Sequence, residues 1–212
     1  MRRVLDRLRI GHPGAPARLP LLGLLCAIAM WHALAAAAAP PSSGASLDRL
    51  MRLLAERRHG EVTFVERDFL SVLSRPLVSS GVLIYEAPDH LEKRTLKPRP
   101  GAFILDHGEL TVTRGDRAYH FELSAYPQIA PYVQAMADTL AGNRTALERL
   151  FTVRFEGSLA RWTLTLEPRK GHASRIRRIR IAGARADIRT IRIAQVNGDH
   201  SITTLGPPPA SP

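Results

Sequence analysis

The stretch GVLIYEAPDHLEKRTLKPRPGAFILD, residues 81–106, decides the fold. Three short apolar runs, 81–87, 91–96 and 102–106, are separated by Pro88-Asp89 and by Pro98-Arg99-Pro100. Proline has no amide hydrogen to give to a ladder, so it stands where strands end and the chain turns. Short runs bounded in this way read as strands joined by hairpins. Outward from this core the rhythm continues. Upstream, Val62, Phe64 and Glu66 share one face of a strand. Downstream, residues 110–114 and 118–123 follow the breaks His107-Gly108 and Gly115-Asp116. The whole is a meander of antiparallel strands.

Two helical patterns interrupt it. Ser46 caps a first helix in which Leu47, Leu50, Met51 and Leu54 form one apolar stripe, and Gly60 follows it. Ile129, Tyr132, Val133, Met136 and Leu140 keep helical spacing in the middle of the chain, Gly142 ends that helix, and residues 145–150 add a short turn. Strands then resume at 151–157, 160–167, 175–182, 187–194 and 201–205, with hairpin signals at Gly157-Ser158 and Asn197-Gly198. The sum is a mainly β fold with helices (α+β), of about eleven strands. A sheet of that size curls or closes, because a flat one leaves long edges.

Residues 1–39 read as a signal peptide: Arg2, Arg3, Arg7, Arg9 and Arg18, then the apolar stretch 19–34, then Ala35–Ala39. The apolar stretch is short for a membrane span, so cleavage near Ala39 is expected. Cys26, the sole cysteine, falls inside it, so the exported chain has none and uses no disulfide. Residues 40–45 form a flexible leader, 46–205 one domain, and 206–212 a Pro-rich tail. The whole chain carries a net +11. With five arginines and one aspartate in the prefix, the remainder holds 25 basic and 18 acidic residues, net +7.

No reaction machinery stands out. His59, His90, His107, His120, His172 and His200 have no close metal-ligand spacing. A cysteine nucleophile, a G-x-S-x-G elbow and a Gly-rich phosphate loop are all missing from the exported sequence. The acidic pairs at 89–92 and 106–109 read as solvated turn residues. The expectation is therefore a non-enzyme with no catalytic residue, no metal and no cofactor. Arg175, Arg177, Arg178, Arg180, Arg189 and Arg192 flank isoleucines in two strands and read as a wet, basic outer face. They lack aromatic neighbours for stacking bases, so nucleic acid is not an expected partner. An anionic surface or an acidic partner is the alternative.

The opposite face is apolar. Phe64, Leu83, Tyr85, Leu110, Val112, Phe121, Leu123, Trp162, Leu164, Leu166, Ile181 and Ile193 share it by alternation, and the helix carrying Tyr132, Val133, Met136 and Leu140 lies over it. Such a lining makes either a packed core or a greasy pocket.

The order of these features resembles the LolA family, periplasmic carriers of outer-membrane lipoproteins, and in particular a divergent branch of it. The resemblance rests on the signal peptide, the early helix, Val62–Glu66, Gly81–Pro88 followed by Leu91, the stretches 74–81 and 91–100, Leu140-Ala141-Gly142, Gly157 and Trp162-Thr163-Leu164. It implies a half-open β-barrel with a helical lid (Tyr132, Val133, Met136, Leu140) over a cavity that binds the acyl chains of a lipoprotein or other lipidated cargo. Leu91 joins the cavity residues on this basis. The family's lid-holding arginine falls on Ala87 here. Further implications are a periplasmic monomer, no stable membrane insertion after cleavage, an inner-membrane donor protein and an outer-membrane acceptor protein. The competing expectation is a non-carrier envelope module that binds a partner or an anionic surface through its Arg-rich strands.

Overall fold

The structure is a computed structural model that describes residues 43–127, 130–170 and 175–207. The expected signal peptide, most of the leader, the end of the tail, Ile129 and His172 lie outside the described residues. Pro41–Pro212 form one compact unit.

Helix α1 (Ser43–Ala55) leads into six strands: β1 (His59–Phe69), β2 (Leu77–Glu86), β3 (His90–Lys97), β4 (Gly101–Asp106), β5 (Glu109–Arg114) and β6 (Arg117–Glu122). A 3-10 turn (Leu123–Ala125) and the helices α2 (Ala130–Leu140) and α3 (Arg144–Leu150) follow. The chain closes with β7 (Phe151–Ser158), β8 (Arg161–Pro168), β9 (Ile176–Ala184), β10 (Asp187–Gln195) and β11 (His200–Leu205). The expected α+β class and strand count are therefore observed, and the sheet is not closed.

Three boundaries differ from the sequence reading. Helix α1 begins at Ser43, so Ser46, expected as its cap, lies inside its first turn, where no proline between residues 42 and 46 interrupts it. Strand β2 begins at Leu77, directly after Pro76, because β1 runs on to Phe69 and offers it partners: Asp68 pairs with Leu77 and Val65 with Ser80. The β7–β8 turn sits at Leu159-Ala160, since Ser158 still pairs with Arg161 and Gly157 with Trp162.

All neighbours are antiparallel, in the order β6-β5-β4-β3-β2-β1-β11-β10-β9-β8-β7. Eleven alternating strands leave both edge strands, β6 and β7, running the same way. They cannot join by a hairpin, so the chain between them must travel the length of the sheet. Helices α2 and α3 are that crossover. Residues of β5 (Leu110) and of β9 (Ile181) face one common space, so the sheet curls around it.

One half of the curl is filled. Leu47, Leu50, Met51 and Leu54 of α1 are all buried, packed with Trp162, Leu164, Leu166, Ile179 and Ile181. Each fully buried side chain of this kind contributes roughly 1.5–3 kcal/mol. The Trp162 indole N–H donates to the Arg185 carbonyl at 2.9 Å, and a Cβ on Gly183 would stand 2.6 Å from its ring.

Gly142 joins α2 to this packed half. Its φ is +65°, and a Cβ there would lie 2.1 Å from the Met51 carbonyl oxygen and 2.9 Å from the Ala55 Cβ. Gly142→Ala is expected to destabilise the domain by about 2 kcal/mol or more, through both the strained backbone and the clash. Urea unfolding followed by circular dichroism checks this; an unchanged midpoint contradicts the close approach.

Candidate functional site

The other half of the curl is hollow. A cavity of about 270 Å³ lies between the sheet and α2. Its wall is mostly apolar: Val62, Leu83, Tyr85, Leu91, Phe103, Leu105 and Leu110 from one side of the sheet, Ile181, Ile188, Ile191 and Leu205 from the other. Tyr132, Val133, Met136, Thr139 and Leu140 of α2 cover it. Register explains the grouping: Val62 pairs with Leu83, Leu83 with Lys93 and Lys93 with Phe103, so all four project to one face.

Of the residues read as a cavity lining from sequence, Leu83, Tyr85, Leu91, Leu110 and Ile181 stand on the cavity wall, as do all four of the lid residues. Val112 and Phe121 pack half-buried beside it around Leu105, Leu110 and Leu123, the last of which is buried in the 3-10 turn. Trp162, Leu164 and Ile193 belong to the filled half, and Phe64 is buried with 1% of its surface exposed. Val62, Phe103, Leu105, Ile188 and Ile191 line the wall without having been singled out. Alternation with Leu83 and Leu91 was the signal that could have found the first three.

One polar group crosses the oily wall. Glu66, buried on β1, forms an ion pair with Lys93 on β3, and the Thr203 hydroxyl donates to the other Glu66 oxygen at 3.0 Å. The Lys93 ammonium also lies 5.1 Å from the centre of the Phe64 ring, a cation–π contact. Gly81 makes room for this arrangement: a Cβ there would stand 1.9 Å from the Arg94 carbonyl oxygen and 3.0 Å from the Phe64 ring. Both Glu66 oxygens are thereby satisfied, as burial of a carboxylate requires. Burial raises the pKa of the enclosed Tyr132 hydroxyl, and the Glu66 and Asp68 carboxylates add to the rise, so it stays protonated. Asp68 is itself shifted upward, first by burial and then by Glu66, with Lys93 opposing.

The cover is held at one end. Burial rises along α2: Ala130 to Gln134 are half-buried, whereas Ala135 to Thr139 are buried. Beyond it, Arg144 of α3 bonds Asp48 of α1 at 2.7 Å and Glu148 at 2.8 Å. Ala87, where the family's arginine falls, supplies no side-chain bond; its amide donates to the Arg58 carbonyl at 2.8 Å. Asp138 is buried near the fixed end, and its Oδ2 has no hydrogen-bond partner among the described residues. Burial raises its pKa against the opposing Gln134, Arg149 and Asn143.

A family model described as "Outer membrane lipoprotein carrier protein LolA-like" matches residues 37–210. No curated protein matches the chain. Among solved structures, it is similar to a LolA superfamily protein of Nitrosomonas europaea, at 11% identity and a TM-score of 0.41, covering 79% of this chain and 95% of that one. A putative outer membrane lipoprotein-sorting protein domain of Vibrio parahaemolyticus is similar at 12% identity and a TM-score of 0.40, covering 77% and 91%. The MucA/MucB complex of Pseudomonas aeruginosa is similar at 12% identity and a TM-score of 0.42, covering 78% and 59%.

The raised aspartates set the sign of a pH effect. Between the ordinary value of 3.8 and their shifted values, Asp68 and Asp138 hold protons in the folded chain that the unfolded chain has released. Their contribution to stability therefore falls as pH rises through that window and stays lower above it. Asp138→Asn, which exchanges a buried ionisable carboxylate for a neutral amide, is expected to raise stability at pH 7 by about 1 kcal/mol and to flatten this slope. Thermal melts between pH 4 and neutrality read both effects; a lower midpoint for the variant at neutral pH contradicts them.

Proposed function

We propose, from the premise that this chain belongs to the LolA-like family of outer membrane lipoprotein carriers, that it shelters the acyl chains of a lipoprotein or other lipidated cargo during passage across the periplasm. The observation that carries the reading is the apolar hollow of about 270 Å³ under α2. An acyl chain in water costs about 0.8 kcal/mol per exposed methylene, and an oily wall removes that cost without any reaction. The volume lies near the lower end of ligand pockets, roughly 300–1,000 Å³. In this closed form it suits part of one chain, and a swing of the half-buried start of α2 would widen it for a second. The role is non-catalytic, with the cargo delivered from an inner-membrane donor to an outer-membrane acceptor.

Titration of the Pro41–Pro212 unit with a fluorescent fatty-acyl probe is the test. Saturable binding is expected. Val133→Trp fills the hollow from above and should weaken binding about tenfold, the worth of roughly two buried methylenes. Arg180→Glu with Arg192→Glu, a cross-strand pair on the outer face, should leave it unchanged. No saturable binding, or binding indifferent to both Val133→Trp and Leu110→Lys, overturns the reading.

A further inference from the structure

Among the described residues, four complete hairpin turns lie side by side at one end of the sheet. Register places them there: Phe69 pairs with His200, Asp68 with Leu77, Thr95 with Gly101, and Arg114 with Arg117. The turns β1–β2, β3–β4, β5–β6 and β10–β11 therefore share this end. Their apolar side chains are among the most exposed in the protein: Val72 at 85%, Val196 at 65%, Leu77 and Leu96 at 52% each, and Leu73 at 43%. They are not loose. The Ser71 amide donates to Asp199 Oδ1 at 2.7 Å, and the Phe69 and His200 rings stack at 4.5 Å, tying two of the turns together.

The same end is basic. Arg75, Lys97, Arg99, Arg114 and Arg117 are exposed, and none forms an ion pair among the described residues. In these turns the acidic residues are Asp116 and Asp199, and Asp199 is engaged by Ser71 and Asn197. Elsewhere several charges are paired, although Arg177, Arg189 and Arg192 are also exposed without an ion pair among the described residues, so the exposed apolar tips are what set this end apart. At the opposite end Arg57 meets Asp187 at 2.7 Å, and Asp106 meets His90 and His107. On the Arg-rich outer strands, Arg178 meets Glu167 at 2.8 Å and Arg180 meets Glu156 at 3.9 Å. Free positive charge and exposed apolar tips thus coincide at one end.

We infer that this end docks reversibly on an anionic bilayer, with the valine and leucine tips entering the headgroup layer and the basic side chains meeting lipid phosphates. Cations spread across four adjacent turns match a plane of negative charge. The apolar tips decide between a bilayer and an acidic protein, because only a bilayer accepts scattered single aliphatic side chains without a shaped pocket. The hollow is placed to profit. Two-residue alternation puts Arg114 and Arg117 on the same inner face as Val112 and Tyr119, and Phe103 on the cavity wall is still 44% exposed, as is Tyr119. Arg114 and Arg117 thus extend the inner face past Val112 and Tyr119 toward the end that would face the lipid. Docking requires no cargo, so it stands or falls apart from the carrier reading.

The test is co-sedimentation of the Pro41–Pro212 unit, free of cysteine, with vesicles of phosphatidylcholine containing about one-quarter phosphatidylglycerol. Binding is expected to these vesicles, to weaken with salt, and to be lost on pure phosphatidylcholine. Each basic group near such a surface changes partition roughly fivefold, so Lys97→Glu, Arg114→Glu and Arg117→Glu together should reduce it by about 100-fold or more while leaving the thermal midpoint unmoved. Val72→Ser with Leu73→Ser should weaken it separately, and a polarity-sensitive dye on Ser74→Cys should shift to the blue on vesicles. No binding to anionic vesicles, or equal binding to neutral ones, overturns the inference. So does vesicle binding that ignores Val72→Ser with Leu73→Ser while polyglutamate competes fully, which would make this end a site for an acidic protein.

Discussion

A ring of antiparallel strands closes only with an even number of them, and this sheet has eleven. Everything distinctive about the molecule follows from that parity. The edge strands β6 and β7 point the same way, so neither can satisfy the other through a short turn. The connection between them has to cross the full sheet, and a helix is the economical way to cross an apolar face, because it satisfies its own backbone while presenting a stripe of side chains. The seam left open by the strands is thus bridged by the segment that covers the concave face. An even-stranded relative of this meander would have no topological reason to place a helix there.

Two helices share the work of covering that face, and they do it unequally. Helix α1 presents four long apolar side chains at helical spacing and fills the half formed by β7 to β10. Helix α2 is poorer in bulk. Its buried residues are Ala135, Met136, Ala137, Asp138 and Thr139, so over the half formed by β1 to β5 it spans the space without filling it. Dense packing follows where large side chains interdigitate; under α2, Tyr132, Val133, Met136, Thr139 and Leu140 instead face the curved wall across the hollow. The hollow is accordingly a property of α2 as much as of the sheet.

The strands were legible in the sequence because prolines and glycines punctuate short alternating runs, and alternation assigns each side chain to a face. Facing inward is not the same as lining a cavity. Trp162, Leu164 and Ile193 obey the same period as Leu83 and Leu91, yet they lie under α1 while the others lie under α2. Period two carries no information about what sits opposite, which depends on contacts between α1 and strands more than 100 residues away in the chain. Lys93 was hidden for a different reason. A charged residue among strand alternants reads as solvent-facing, and its partner Glu66 lies two strands away, reached over a glycine whose missing side chain only the folded register makes meaningful. The turns of the basic end were visible one by one, but their adjacency needs the pairing of β1 with β11.

On the proposed carrier reading, cargo must be released as well as held, and different parts of the molecule would serve each. The wall attracts by apolar contact, which has no preferred direction and grows by about 0.8 kcal/mol for each methylene buried. The polar atoms on the wall are already committed: both Glu66 oxygens are bonded, and the Tyr132 hydroxyl stays protonated. Among the described residues, no unpaired carboxylate lines the hollow itself; Asp68, beyond Glu66 on the same strand, lies next to it. On that reading, the part that would move for a chain to leave is the start of α2, which is half-buried, whereas its far end is locked by Gly142 against α1 and followed by the Arg144–Asp48 bond. Opening therefore exposes the apolar surface of a few residues and leaves the filled half intact. The grip can be strengthened by adding methylenes to the cargo and weakened by tilting one end of a helix, and neither change asks the sheet to rearrange.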